Sequence, residues 1–244
     1  MSSLDKKWDM KKGNLYLIPT PIAEESLHTL PQYVIDRIHR VKIFIAERAK
    51  TARHFIKATE PPYGIGELEI MELNKRTSPE ERASFLDAAL AGQDIGLMSE
   101  AGCPGVADPG ALIVAMAHKK GIKVVPLVGP SSILLALMAS GMNGQSFSFH
   151  GYLSAKVPAL QKDLKRLEQL SARFNQTQIF IEAPYRNKGM IENCLKTLQP
   201  NTQLCIAADV SAPQEYIKTQ RVRDWKKSSI PDLHKHPALF LIYA

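Results

Sequence analysis

The sequence has little that marks an exported or membrane-bound chain. Its charged opening, MSSLDKKWDMKK, holds no apolar segment of the kind a secretory leader needs, so a signal peptide is not expected. The longest apolar stretch, Ile133 to Ala139, is far short of the roughly 20 residues that cross a bilayer. Cys103, Cys194 and Cys205 are odd in number and widely scattered. That argues against a disulfide framework or a metal knuckle and for reduced thiols in the cytoplasm, with no metal centre expected. Two phosphate-binding signatures are also missing, G-x-G-x-x-G and G-x-x-x-x-G-K-[ST], which argues against nicotinamide enzymes and P-loop NTPases. No internal repeat or low-complexity tract is visible.

What is present is ordinary globular composition. Hydrophobic residues make up 45% and charged residues 23%, enough for a sizeable core. The net charge is +7, with lysine and arginine spread along the chain. Two readings stay open: a polyanionic partner such as nucleic acid, favoured by counterion release, or a plain basic protein.

The first half alternates short β-rich runs with helical patterns. Strands are expected at Leu15 to Pro19, Val41 to Ala46, Glu67 to Leu73, Ile95 to Met98 and Lys123 to Pro126. Helices are expected at Pro31 to Arg40, Thr51 to Lys57, and Ala111 to Lys120 before Gly121. Ser78, Pro79 and Glu81 form a capping box for one more helix, running to Ala91 and stopped by Gly92. Strands alternating with helices at this spacing imply a mostly parallel sheet covered on both faces. The second half begins with the apolar helix Ile133 to Ser140, capped by Ser131 and ended by Gly141. Strands follow at Ser146 to Tyr152, Gln178 to Glu182, Gln203 to Asp209, Tyr216 to Val222 and Ala238 to Tyr243, with helices at Leu160 to Ser171 and Asn187 to Leu198. The expected architecture is α/β in two domains: residues 1–126 around a parallel sheet, and residues 127–244 as a smaller mixed α+β domain.

In an open parallel sheet, ligands bind beyond the carboxyl ends of the strands. Three loops lie there. After the first strand comes Pro19-Thr20-Pro21-Ile22, without glycine. After the fourth comes Ser99 to Gly110, with three glycines and two prolines that enforce a tight turn. Within it, Asp108 and Pro109 also read as a plain helix cap and first helical residue. After the fifth comes Val128-Gly129-Pro130-Ser131-Ser132.

The run LYLIPTPIAEESLHTL resembles the family opening L-Y-x-V-x-T-P-I-G-N-L. MSEAGCPGVADPG resembles V-S-D-A-G-T-P-x-I-S-D-P-G, and VVPLVGPSSILLALMASGM resembles V-x-P-x-P-G-P-S-A-x-x-x-A-L-x-x-S-G-L. FHGYLSAK is similar to F-x-G-F-L-P-x-K, and IFIEAPYR to the E-S-P-H-R segment. In order and spacing these match the ribosomal RNA ribose 2′-O-methyltransferase branch of the tetrapyrrole methylase superfamily, from about residue 14 to about residue 190.

The resemblance implies an S-adenosylmethionine-dependent enzyme, in a homodimer, with the donor folded into a cleft between two α/β domains. It implies donor contacts from Pro21, Ser99, Glu100, Ala101, Val106, Ser131 and Ser132, with Glu182 and Ala183 closing the pocket from the second domain and Ala208 and Asp209 on a strand neighbouring theirs. The implied partner is ribosomal RNA of the small subunit, methylated at a ribose 2′-hydroxyl of the 16S molecule. Two other readings stand beside it, a tetrapyrrole C-methyltransferase and a non-catalytic RNA-binding paralogue. The donor supplies the reactive methyl, and the protein aligns nucleophile, carbon and sulfur. A ribose hydroxyl is a poor nucleophile, so a carboxylate acceptor helps. Glu47, Glu100 and Glu182 are the candidates, with Arg186, Tyr185 and Arg48 positioning phosphate or ribose; for Arg48 and Arg186 a plain surface ion pair is the competing reading.

The acceptor side departs from the family. E-D-T-R-x-T becomes Glu47-Arg48-Ala49-Lys50-Thr51-Ala52, losing the acid after the glutamate. H-x-x-N keeps only Asn74, P-H-R becomes Pro184-Tyr185-Arg186, and R-E-L-T-K becomes Ala208-Asp209-Val210-Ser211-Ala212. Donor-side loops are better kept, a pattern expected of a paralogue with an altered RNA target.

Overall fold

A computed structural model describes residues 11–23 and 26–244. The N-terminal run on which the signal-peptide expectation rests lies mostly outside them, as do Glu24 and Glu25 of the first motif. The chain divides into two compact units, residues 1–130 and 131–244.

In the first unit the chain runs β1 (Asn14–Ile18), α1 (Gln32–Ile38), β2 (Ile43–Ala46), α2 (Ala49–Ala58), β3 (Glu69–Glu72), α3 (Pro79–Ser84), α4 (Asp87–Leu90), β4 (Ile95–Met98), α5 (Gly110–Lys119) and β5 (Lys123–Pro126). The sheet order is β3-β2-β4-β1-β5, parallel throughout. Every residue of β2 and β4 is buried, as helices on both faces require. One face packs Tyr16, Ile18 and Phe44 against Val34 and Ile38 of α1 and Ile56 of α2. The other packs Leu15, Ile45 and Leu97 against Phe85 and Leu86 and against Ile113 and Ala117 of α5. The connection leaving β1 runs toward β2, while that leaving β4 runs toward β5, so neighbouring strands send their loops in opposite directions. Such a reversal leaves a crevice at the carboxyl edge.

The capping box forms as expected, with the Ser78 hydroxyl accepting from Glu81 N–H and the Glu81 carboxylate from Ser78 N–H. The single helix expected from Ser78 to Ala91 breaks at Phe85–Leu86, however. Consecutive residues on an α-helix point about 100° apart. Burying both Phe85 and Leu86 in one cluster is met by tightening the chain there, with Phe85 N–H bonding to Arg82 C=O.

The second unit runs α6 (Ser132–Ser140), β6 (Phe147–Tyr152), α7 (Val157–Phe174), β7 (Thr177–Glu182), α8 (Asn187–Thr197), β8 (Gln203–Ala208), β9 (Tyr216–Arg221), α9 (Val222–Trp225) and β10 (Ala238–Tyr243). Its sheet is mixed, in the order β6-β7-β10-β8-β9, with only β6 and β7 parallel. Side chains alternate across it. Phe180, Leu204, Ile206, Phe240 and Ile242 pack with α7, α8 and Trp225. Ile179, Cys205, Ala207, Leu239 and Leu241 pack with Ala136 and Leu137 of α6. Helix α7 is longer than expected at both ends, and the short α9 had no expected counterpart. Trp225 explains α9, since its indole N–H donates to Leu204 C=O at 2.8 Å inside the core. Among the described residues, no helix is long and apolar enough to cross a membrane.

Phe180 and Phe240 stack at 5.5 Å between centroids, both fully buried. Phe240→Ala is expected to cost about 3–5 kcal/mol in urea unfolding, the usual range for emptying a core aromatic site. A loss below about 1 kcal/mol would mean that the sheet face repacks freely.

Candidate functional site

The carboxyl edge of the first sheet is a braced rim. Residue Thr20, just past β1, and Gly102, past β4, exchange two backbone hydrogen bonds, at 3.0 and 3.1 Å. Gly102 has φ +74°, a conformation that side chains resist. The third loop joins them: Cys103 Sγ donates to Pro130 C=O at 3.4 Å, and Gly129 lies so close to Pro19 that a Cβ would stand 2.3 Å from its ring. Tyr33 adds a clamp by accepting, through its hydroxyl, the Val128 N–H at 2.8 Å. The loops after β1, β4 and β5 are thus fixed to one another within the first unit.

Inside the long loop, Asp108 carries the bracing. Its carboxylate accepts the N–H of Gly105 at 2.9 Å and of Gly110 at 2.7 Å. The cap position of α5 itself is Pro109, in a helical conformation, so the expectation of Asp108 as N-cap and Pro109 as first helical residue is corrected by one position. The cause is the double role of the carboxylate, which holds the loop turn and the helix start together. Ser99 Oγ donates to the C=O of Ala101 and Gly102, both at 3.2 Å. The N–H groups of Ala101 and Cys103 have no acceptor among the described residues. Backbone donors on a stiff, small-residue rim suit a ligand gripped by main chain.

A cavity of about 250 Å³ opens at this rim, lined by Thr20, Pro21, Ile22, Ser99 and Glu100 and by Thr51, His54 and Phe55 of α2. Sequence reasoning did not single out these three α2 residues, whose role follows only once α2 is placed beside the loops. Glu47 follows β2 at the same edge. Burial raises its carboxyl above the ordinary range; the Glu100 backbone N–H opposes this, the charges of Asp108 and Glu100 add to it, and Arg48 lowers it. Burial also raises Asp108, against the two N–H groups it accepts. Three carboxylates therefore share this edge, Glu100, Asp108 and a partly desolvated Glu47. Of the expected donor contacts, Pro21, Ser99, Glu100, Ala101 and Val106 all stand on these loops, with Val106 half exposed.

In the second unit, Glu182 at the end of β7 is 4% exposed. One carboxylate oxygen accepts from Ala183 N–H at 2.7 Å. The other lies 3.0 Å from the Arg186 guanidinium, an ion pair whose angle is too poor for a hydrogen bond. Arg186 also donates to Ala155 C=O. With Glu182 buried, this pair is not the surface contact considered for Arg186. Tyr185 is exposed, and a hollow of about 240 Å³ is lined by Glu182, Tyr185, Arg186, Val157 and Asn193.

Ala208 and Asp209 were expected on a strand neighbouring that of Glu182, and the structure corrects this. β10 lies between, with Ala238 opposite both Glu182 and Ala208. The intervening strand brings in a residue the sequence did not mark, His236, whose Nδ1 is 2.6 Å from Asp209 Oδ2. Nothing local flags His236; the long-range pairing of β8 with β10 creates the contact. Asp209 itself sits at φ +47°. Ser131 caps α6 by accepting Leu134 N–H, and Ser132 begins that helix. No hydrogen bond or ion pair joins either serine to Glu182, Ala183, Ala208 or Asp209 among the described residues. A larger, open hollow of about 540 Å³ beside α7 contains no expected site residue, and its Glu168 is taken up by Gln199 N–H and Thr202 Oγ1.

The family described as Tetrapyrrole (Corrin/Porphyrin) Methylases matches residues 14–225. Ribosomal RNA small subunit methyltransferase I of Vibrio cholerae is 31% identical over 208 residues, which cover 84% of this chain and 67% of that protein. The protein of the same name from Bacillus subtilis is 35% identical over 186 residues, 76% of this chain and 59% of its own length. Among solved structures, the methyltransferase CobJ shares the fold with TM-score 0.62 at 18% identity, covering 95% of this chain and 94% of that one. Uroporphyrin-III C-methyl transferase from Thermus thermophilus, complexed with S-adenyl homocysteine, gives 0.57 at 16%, covering 95% and 97%.

Two outcomes follow from the rim. Gly129→Ala drives a methyl into the Pro19 ring and is expected to cost about 1–3 kcal/mol in urea unfolding; an unchanged midpoint would show the loops to be independent. Glu47, raised in the folded state, contributes stability that is full below the ordinary carboxyl range and lost as pH rises through its folded pKa. Stability measured at about pH 5 and about pH 8 should therefore fall more with rising pH in the parent than in Glu47→Gln. Equal falls would show that the carboxyl is not perturbed.

Proposed function

The chain belongs to the tetrapyrrole (corrin/porphyrin) methylase family, and from that premise we propose an S-adenosylmethionine-dependent methyltransferase acting on a ribose 2′-hydroxyl of small-subunit ribosomal RNA. The observation that carries the reading is the braced rim, where three loops rich in small residues are fixed to one another with main-chain donors left over. Pro21, Ser99, Glu100, Ala101 and Val106 are the proposed donor contacts in the first unit. For Ser131, Ser132, Glu182, Ala183, Ala208 and Asp209 the same role rests on the resemblance alone. The donor, when bound, supplies an activated methyl on a positively charged sulfur.

The chain's own residues then do two things. The rim fixes the direction of approach, since alignment of nucleophile and methyl carries much of such a reaction. Glu47 would take the proton that the acceptor hydroxyl gives up when a bound donor supplies its methyl. Its raised carboxyl suits this better than an ordinary solvated one, because a stronger base accepts the proton more readily. Glu182 is assigned a positioning role, both its oxygens being engaged by Ala183 and Arg186. A homodimer working on the small ribosomal subunit in the cytoplasm completes the proposal.

Methyl-labelled donor incubated with small subunits lacking the modification should deliver label to RNA ribose. Label in a porphyrinogen instead would transfer the assignment to tetrapyrrole chemistry, and donor binding without any transfer would favour a non-catalytic RNA-binding protein. Calorimetric titration should give a donor affinity of micromolar order, about −8 kcal/mol. Glu47→Gln is expected to leave that affinity within about twofold while slowing transfer at least about 100-fold, the low end for a lost general base.

A further inference from the structure

Helix α2 carries a feature that neither donor binding nor proton transfer uses. Lys50, Arg53, His54 and Lys57 are all exposed. At about 100° per residue they fall within an arc of about 100° on one side of the helix. Ala52 and Ile56 occupy the buried side, and Thr51, His54 and Phe55 face the rim cavity. No acidic residue lies anywhere in Ala49–Ala58. None of the side chains of Lys50, Arg53 and Lys57 makes a hydrogen bond or an ion pair among the described residues.

An ordinary solvated helix face intersperses opposite charges at three- and four-residue spacing, and like charges there destabilise the helix. The placement is adverse in a second way. Arg48 is the N-cap and Lys50 is in the first turn, where the helix dipole repels cations. Glu72 accepts the Ala49 N–H at 2.8 Å through one carboxylate oxygen, at the helix start. The helix thus keeps its cations against its own stability, at the border of the cavity. A partner that supplies the missing negative charge accounts for this.

We propose that the Lys50–Arg53–Lys57 edge of α2 is the track for the sugar-phosphate backbone of the RNA acceptor, carrying the strand past the mouth of the rim cavity. The proposal rests on the RNA reading of the function and adds where the strand is held. From Lys50 to Lys57 the helix advances about 10.5 Å, so the three cations engage consecutive phosphates of one strand. His54, between them and on the cavity wall, stands where the strand would turn inward.

The test uses the full-length chain and a fluorescent single-stranded RNA of about 30 nucleotides, titrated over a range of salt concentrations. Replacing Lys50, Arg53 and Lys57 together by glutamine should weaken binding and reduce the slope of log affinity against log salt by about 2, from three lost phosphate contacts. Donor affinity should be unchanged, and the unfolding temperature equal or higher, because repulsion has been removed. A control, Lys162→Gln with Lys188→Gln and Lys196→Gln on α7 and α8, should keep the parent slope. A parent-like slope in the α2 variant, or an equal loss in the control, overturns the proposal while leaving the RNA reading standing. Failure of the parent to bind RNA overturns both. Parent binding to vesicles containing phosphatidylserine in preference to RNA, lost in the α2 variant, reassigns the edge to a membrane surface and also overturns it.

Discussion

The site depends on one small constraint, the reciprocal pair of main-chain hydrogen bonds between Thr20 and Gly102. Parallel strands deliver their loops to a common edge but do not hold them there. The two bonds join the loop after β1 to that after the central strand β4, and the left-handed conformation of Gly102 allows the chain to make them. Once joined, the loops define a floor against which Gly129 and Pro19 pack and from which Asp108 spans to the start of α5. A rim of this kind needs few charged anchors, because its donors are main-chain groups whose directions are already set. The absence of a glycine after β1 is thereby explained. Pro19 and Pro21 stiffen that loop, and its partner across the edge supplies the glycine.

Much of this was legible in the sequence. Short apolar runs and the 3.6-residue period marked every strand and all but the shortest helices, since parallel strands buried on both faces leave continuous apolar runs such as Ile43 to Ala46. The rim loops were legible because their glycines and prolines have few conformational alternatives. What escaped depends on contacts between distant residues. The break at Phe85–Leu86 answers to what both side chains pack against, not to any breaker in the sequence. The strand between β7 and β8 is the last in the chain, so His236 meets Asp209 through a pairing that no local pattern announces. The cavity wall made by Thr51, His54 and Phe55 belongs to the same class.

The resemblance and the comparisons carry different parts of the account. Relatives near 30% identity bear the name of ribosomal RNA methyltransferases, whereas the solved structures at 14–20% identity attest the fold. The kept donor-side loops are those whose geometry the main chain dictates. The altered positions include Arg48, in place of an acid, and Val210 to Ala212, beyond the last of the proposed donor contacts. The rim tolerates such change, because its bracing is main-chain and substituting a side chain beside it does not disturb the bonds that form it.

The three thiols are distributed in a useful way. Cys103 is half-buried on the rim of the first unit, while Cys194 and Cys205 are enclosed in opposite faces of the second unit's sheet, their thiols pushed up by burial. An alkylating reagent thus meets a graded series, reaching the rim first and the other two only as the second unit opens. The parent chain already carries separate chemical clocks for the loosening of its two halves.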